Sequence, residues 1–493
     1  MASQPEGYRF PVGRILAIYF ALMLVVFLSA LDQAIVATAG AAIVADIGGI
    51  SGYAWLFTAY ILAATVTIPL YGKLGDLLGK KRPLVIAVSL FLVGSLLCGL
   101  ATSFPELVGF RALQGAGAGG LTPLAHATIG SIVPIRERGR YLGLIVGAFA
   151  LGSVGGPLAG GLLVDTLGWR WVFLVNLPIG VLALALIYRT MATPAETRSA
   201  RSIDWVGALL LAGCATLFLV VLSSGGQVYS WTSLVILGSV AVAVVLAGLF
   251  IAVERRVPEP ILPFSLLRRG TVAASVLCIA ASGASMFMVI AALPLYAQGV
   301  VGLSATAAGV TLIPMLLGMA VAAFLSGQVM VRLGRTRPTA AIGSVLAVVG
   351  LILLARLSDH PSTFESGRAS ALVGLGLGSA NQVYLVSVQN AVTRRTIGAA
   401  TALTHFGRAI GGTLGLAVVG VIIGHAMPAG TNLGGHGLGS GLLAGPLRGE
   451  LANALRLGFW VAAGLEAAAF LVVVFVLEEV SWQPPGEPML GVG

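Results

Sequence analysis

A few ionisable side chains sit inside runs that are otherwise apolar, and these are the places where this chain could do chemistry. Asp32 lies in the run 15–44, Arg111 in 106–128, His405 and Arg408 in 398–424, and Glu466 in 457–477. Hydrocarbon surroundings disfavour the charged form of a carboxyl, so a sheltered acid can take up and release protons near neutral pH. Acids inside apolar spans are costly and mark functional sites by default. Asp32 follows Arg14 by 18 residues, about 27 Å along a helix at about 1.5 Å per residue. That spacing puts it within a span, toward its far side. There it can carry a proton, anchor a cationic solute, or do both in competition; the plain alternative is a helix-end acid facing water. Arg111 stays charged and can act on a nearby acid, or it can snorkel from a position near the start of its span. His405 and Arg408 are three apart and share a helix face. With Asp32, the candidate solute contacts are Gln33, Tyr60, Asn381, Tyr384, His405, Arg408 and Glu466. Glu466 is also a candidate second protonatable group. His126 receives no role.

The elements that position these residues follow from composition. The chain has 493 residues, is 58% hydrophobic and 9% charged, and has a mean hydropathy of +1.00. Soluble domains carry about 25% charged residues, so a soluble fold of this composition would lack polar surface. Runs of about 18 or more apolar residues read as membrane spans. Fourteen occur: 15–44, 53–71, 84–101, 106–128, 141–163, 171–190, 205–223, 231–253, 271–297, 306–330, 339–356, 368–390, 398–424 and 457–477. Spans of this length must be helices, because lipid cannot satisfy an open backbone. The first run is too long for a cleaved leader and carries an acid, so it reads as a retained helix. Cys98, Cys214 and Cys278 lie inside apolar runs and suggest neither disulfides nor a metal framework.

The net charge of +10 does not point to nucleic acid. Of the 28 cations, 21 fall in one alternate set of loops, beginning with the N-terminal tail, and 5 in the other. That bias predicts both termini on the cytoplasmic side of a cell membrane.

Residues 72–83 read GKLGDLLGKKRP and contain every lysine of the chain: Lys73, Lys80 and Lys81. Residues 327–338 read GQVMVRLGRTRP, so Gly72 pairs with Gly327 and Pro83 with Pro338 at an offset of 255. Val331 stands where the first copy has Asp76. Arg111, Gly117 and Gly119 are echoed by Arg368, Gly374 and Gly376 at an offset of 257. The repeat predicts two six-helix bundles, residues 1–200 and 257–480, with an inserted helix pair at 201–256 and a cytoplasmic tail at 481–493. Parallel repeated halves place a solute site near the midplane between them, exposed alternately by rocking.

These stretches resemble motifs of the major facilitator superfamily. GKLGDLLGKKRP looks like its motif A, LVGFRALQGAGAGG (107–120) its motif B, and GSVGGPLAGG (152–161) the motif C associated with antiporters. LDQAIVATA (31–39) and IDWVGALLL (203–211) are similar to segments of the fourteen-helix drug:proton antiporters. The resemblance implies a proton-coupling role for Asp32 and Arg111. It also implies a conformational latch of Gly72, Asp76, Gly79, Lys80, Lys81 and Arg82, and an antiporter motif of Gly152, Gly156, Pro157, Gly160 and Gly161. The expected fold is an all-α polytopic membrane protein of fourteen helices.

GAGAGG at 115–120 matches a dinucleotide fingerprint only in letters, since that fingerprint needs a preceding strand. GLGLGS at 374–379 is a similar decoy. No phosphate-binding loop, paired catalytic carboxylates, nucleophile–base set or metal cluster is visible, so an enzyme is not expected. Glycines every four residues at 152, 156 and 160, and at 407, 411 and 415, let helices approach closely. The expectation is proton-driven export of lipophilic, most readily cationic, compounds by a monomer, with no cofactor beyond the proton gradient. An exporter of one metabolite, antibiotic product or lipid is the alternative; a receptor that does not transport fits less well.

Overall fold

The computed structural model describes residues 12–477 apart from 49–54, 135–136, 192–203, 225–228, 231, 258–259, 263, 304, 334, 359–360, 394–395 and 427–445. The tail expected at 481–493 lies outside the described residues. Long helices account for nearly all of the described chain. In the first half they are α1 (Val12–Ile47), α2 (Trp55–Leu77), α3 (Lys81–Leu100), α4 (Phe104–Ile132), α5 (Arg138–Thr166) and α6 (Asn176–Thr190). The inserted pair is α7 (Trp205–Ser224) and α8 (Leu234–Glu254). The second half holds α9 (Gly270–Gly299), α10 (Ile313–Leu333), α11 (Arg337–Ala355), α12 (Thr363–Asn390), α13 (Ile397–Ala426) and α14 (Pro446–Phe475).

Twelve of the described helices are long and apolar enough to cross a membrane. The other two are α4 and α7. Helix α4 has 29 residues, but Arg111, Gln114, His126 and its glycines dilute its hydropathy. In α7 the apolar stretch Val206–Phe218 is shorter. Local chemistry sets the ends. Gly79 and Gly168 turn the chain at φ +76° and +90°, which glycine tolerates without strain. Ser362 and Glu365 form a capping box at the start of α12.

Each half repeats one packing scheme. In the first, α4 is wedged between α2 and α3, and α1 lies against α5 and α6. In the second, α12 is wedged between α10 and α11, and α9 lies against α13 and α14. The halves meet through α2 against α13 and α10 against α5, which are equivalent contacts. The inserted pair packs chiefly on itself, with α7 also touching α2 and α13. Large apolar side chains such as Leu158, Leu209 and Leu234 face outward, as a lipid-exposed surface requires.

The two glycine decoys perform one task twice. A Cβ at Gly115 or Gly119 would press into the backbone of Tyr60 or Ala64 on α2, and one at Gly117 into Ala87 and Phe91 on α3. Gly374 and Gly378 abut Met315 and Met319 on α10, and Gly376 abuts Gly343 and Ala347 on α11. Gly115 therefore corresponds to Gly374, an offset of 259 rather than 257. The counterpart of Arg111 is Ser370, not Arg368, which is exposed. Contacts agree: Arg111 Nε donates to Leu56 O (3.2 Å) and Ser370 Oγ to Thr311 O (3.3 Å), with Leu56 and Thr311 in matching places. The cause is loop length. Residues 101–103 join α3 to α4, whereas 356–362 join α11 to α12, so the register slips by four after the first repeat.

Candidate functional site: a buried ion pair beside a cavity between the halves

Asp32 sits on α1 with no exposed surface. Its Oδ2 accepts from Arg111 Nη1 at 2.9 Å, and its Oδ1 accepts from Gln114 Nε2 at 2.7 Å and Asn176 Nδ2 at 2.8 Å. Ser95 Oγ accepts from both amides and donates to Phe173 O. Arg111 also reaches Gln114 Oε1 at 2.7 Å, and its guanidinium lies 4.1 Å from the centroid of the Tyr60 ring. Five helices thus converge on one acid–base pair. A buried pair needs such supporting bonds, because desolvating two charges otherwise outweighs their attraction.

Several features place these groups. Arg111 and Gln114 are three apart, so one face of α4 presents both. The glycines at 115, 117 and 119 let that face come close to α2 and α3. On the other side of α1, Gly152 meets Phe27 and Ala30, Gly156 meets Ala34, and Gly160 meets Ile35 and Thr38. Gly161 looks into open space and Pro157 is exposed. The motif C glycines accordingly clamp α1 around Asp32 within one half. Gly411 and Gly415 clamp α9 onto α13 in the same manner in the other half.

A cavity of about 180 Å³ lies between the halves. Ser29, Gln33, Tyr60, Thr65 and Thr122 line it from α1, α2 and α4; Phe287, His405, Thr413 and Leu416 line it from α9 and α13. Tyr60 therefore has one face on the guanidinium of Arg111 and a place in the cavity wall. Gln33 lines the cavity and donates to Ser29 O at 3.1 Å. Asp32 does not line it, so the cation-anchoring role expected of Asp32 has no geometry here. Asn381, Tyr384 and Glu466 also lie away from it. Asn381 donates to Leu377 O and accepts from Arg408; Tyr384 bonds Ser344; Glu466 is buried on α14 near Ser282 and Ser285 of α9.

A series of hydrogen bonds joins the halves at and beyond the cavity floor, toward the end rich in lysine and arginine. His126 Nδ1 and His405 Nε2 are 3.0 Å apart across the floor, with rings stacked at 5.0 Å. Farther down, Gln389 Nε2 donates to His126 O, and Arg138 Nη1 donates to Gln389 O (3.1 Å) and Asn390 Oδ1 (3.0 Å). At the tip, Asp76 Oδ1 accepts from Gly398 N (2.8 Å) and Oδ2 from Ala399 N (2.7 Å), at the start of α13. Lys80 pairs with the same carboxylate. Gly72 and Gly398 leave no room for a Cβ at this crossing. Lys81 instead donates to Tyr188 O, and Arg82 is exposed.

At the opposite end, Arg170 Nη1 meets Asp46 Oδ2 at 2.7 Å and holds that carboxyl below its ordinary range.

Sequence reasoning passed over Gln114, Asn176, Ser95, Arg138 and His126. Gln114 had one available signal, its spacing from Arg111. The others depend on tertiary contacts.

Two matching helical bundles, a cavity between them and an ion pair behind its wall define a membrane transporter. The chain belongs to the Major Facilitator Superfamily, whose pattern matches residues 22–416. It is 35% identical over 402 residues to the multidrug transporter protein MdtP of Bacillus subtilis, covering 82% of this chain and 74% of that protein. It is 33% identical over 401 residues to multidrug resistance protein 3 of the same organism, covering 81% and 78%. Among solved structures it resembles the proton:xylose symporter XylE, with a TM-score of 0.63 and 16% identity over 96% of this chain and 98% of that one.

Proposed function

We propose that this transporter exports lipophilic compounds in exchange for protons, by alternating access, as a monomer in the cytoplasmic membrane. Its lysine- and arginine-rich end and both termini would face the cytoplasm, consistent with the charge bias of the loops. All fourteen helices would span the bilayer. The names of the bacterial relatives support efflux. The observation that carries the coupling is the arrangement around Tyr60, which touches Arg111 on one side and borders the cavity on the other.

A proton arriving at Asp32 removes one charge of the pair and frees the Arg111 guanidinium to favour its other partners, Gln114 and Leu56. Because Arg111 rests against Tyr60, the change reaches the cavity wall. Proton and solute then compete through a shared wall rather than on one carboxylate. The bonds at the cytoplasmic end hold the cavity shut from that side, so this conformation is the one facing outward. A ligand biases such an equilibrium only through its unequal affinity for the two states.

The test is efflux from proteoliposomes with an imposed pH gradient. Asp32→Asn is expected to abolish gradient-dependent transport. The double variant Asp32→Asn/Arg111→Gln removes both charges and should fold while remaining uncoupled. Gradient-driven efflux at the wild-type rate in either variant would take the pair out of the mechanism.

A further inference from the structure

Asp32 has a relative in the second half, and the two buried acids are supported in opposite ways. The glycines of α5 and α13 fix the correspondence. Gly152 and Gly156 meet Ala30 and Ala34 on α1; Gly411 and Gly415, at an offset of 259, meet Ala280 and Ala284 on α9. Ala30 to Ala280 and Ala34 to Ala284 are both offsets of 250, so Ser282 stands where the first half has Asp32. Asp32 receives the amide of Asn176 at the start of α6. Ser282 faces Glu466 on α14, the repeat partner of α6. The acid has changed helices between the halves and kept its level.

Its surroundings have changed as well. At the offset of 259, Arg111 and Gln114 correspond to Ser370 and Val373, so the cation and one amide are gone. Glu466 is fully buried, and neither carboxyl oxygen has a hydrogen-bond partner among the described residues. Ser282 and Ser285 stand near enough to act on it without reaching hydrogen-bond geometry. Cys278 on α9 and Tyr384 on α12 are the titratable groups that feel it. The helices packed on α14 bring it no cation. Arg337 begins α11, and Arg356, just past its end, lies over Trp460, six residues from Glu466. On α13, His405 meets His126, Arg408 passes α9 at Gly283 and reaches Asn381 Oδ1, and His425 bonds its own helix.

A carboxylate with neither cation nor donor is too costly for such a site, whereas a neutral carboxyl group is not. Asp32 thus stands ionised against Arg111 while Glu466 holds a proton. Helix α9 turns Ser282 and Ser285 toward the acid and Phe287 toward the cavity, as α1 turns Asp32 toward Arg111 and Gln33 toward the cavity. Each acid is therefore one helix away from the solute.

We propose that Glu466 is a second proton-binding site, loaded in this conformation and emptied when the halves rock, so that each cycle exchanges two protons, one through each half. The inference rests on reading the chain as a proton-driven exporter and adds the second carrier.

Two measurements on the full-length protein test it. Infrared spectroscopy of the purified protein in lipid at neutral pH reads the C=O stretch of protonated carboxyl groups. Subtracting the spectrum of Glu466→Gln from that of the unmodified protein should leave one such band, and Asp32→Asn should retain that band. The second measurement is the steady-state accumulation of ethidium in acid-inside proteoliposomes, with the membrane potential clamped by potassium and valinomycin. A pH difference of about one unit sustains about a tenfold gradient for each proton exchanged. The unmodified protein should therefore approach about a hundredfold gradient and Glu466→Gln about a tenfold one. An acid with a purely structural role would alter the rate and leave this limit unmoved. The absence of the difference band, or the same limit in both proteins, would overturn the proposal. So would a tenfold limit in the unmodified protein, a result that needs no variant to fold. If the exporter reading itself is wrong, the unmodified protein builds no gradient and the second carrier falls with it; a tenfold limit in both proteins removes Glu466 alone.

Discussion

Replacing Asp76 by asparagine is the sharpest perturbation of the closed end. The carboxylate receives two backbone N–H groups from the opposite half, at 2.8 and 2.7 Å, at the start of α13. Asparagine keeps one acceptor oxygen and loses the charge. A hydrogen bond to a charged group contributes about 1.5–3 kcal/mol, and the attraction of a carboxylate to a helix N-terminus adds about 0.3–1 kcal/mol. One bond is lost and the other becomes neutral, so a change of about 2 kcal/mol is expected, a factor of about 30 in the equilibrium. A protein closed at this end about 99 times in 100 would then be closed about three times in four. Spin labels at Ile86 on α3 and Ile342 on α11, both exposed, report the separation of the halves near this end. The distance distribution of Asp76→Asn should gain a second, longer population. Gly398→Val serves as the control, since any side chain there collides with Asp76, Lys80 and Gly72. If the control separates the labels and Asp76→Asn does not, the two hydrogen bonds do not hold the end closed.

Two further outcomes follow from packing and charge. A Cβ at Gly156 would lie 2.5 Å from that of Ala34, so Gly156→Val should destabilise the first half by about 1–3 kcal/mol. Thermal unfolding in detergent should show the loss, while Gly161→Ala, facing open space, should unfold like the unmodified protein. Acidification should release Asp46 from Arg170. Its carboxyl is held low by that partner, so the contact's contribution is complete above the ordinary aspartate value of about 3.9 and disappears as pH falls through the lowered one. Trp169, which donates to Asp46 Oδ2 at 3.0 Å, should report this as an acid transition in fluorescence that Asp46→Asn lacks.

Much of the architecture was legible in the sequence, because a bilayer permits few solutions. Long apolar runs must be helices, and a loop repeated with the same spacing implies repeated halves. Asp32 and Arg111 stood out because charges inside such runs are rare. Their partnership did not, since it depends on how α1 and α4 face each other. Gln114 and Asn176 escaped notice because single amides are common in spans and their targets are remote in the chain. The pairing of Arg111 with Arg368 failed for a plain reason. Two arginines look equivalent on paper, whereas helix packing follows the glycines, and the longer loop at 356–362 had shifted them. Hydropathy alone passes over α4, the helix that carries the most polar chemistry, because that chemistry dilutes its apolar character. The cavity's missing carboxylate could not be read either, as side-chain direction within a helix is a property of its neighbours.

The two crossings that close the lysine- and arginine-rich end are related by the repeat yet fastened by different means. One uses an acid on a helix start. The other has a valine in the acid's position, and the bonds beside it run from Arg138 at the start of α5 to the end of α12 rather than to α10. Fasteners of unequal kind release under unequal conditions, so the bundles need not part squarely. Opening would start as a tilt about whichever crossing lets go last, giving an otherwise symmetric machine a preferred side on which its passage first appears.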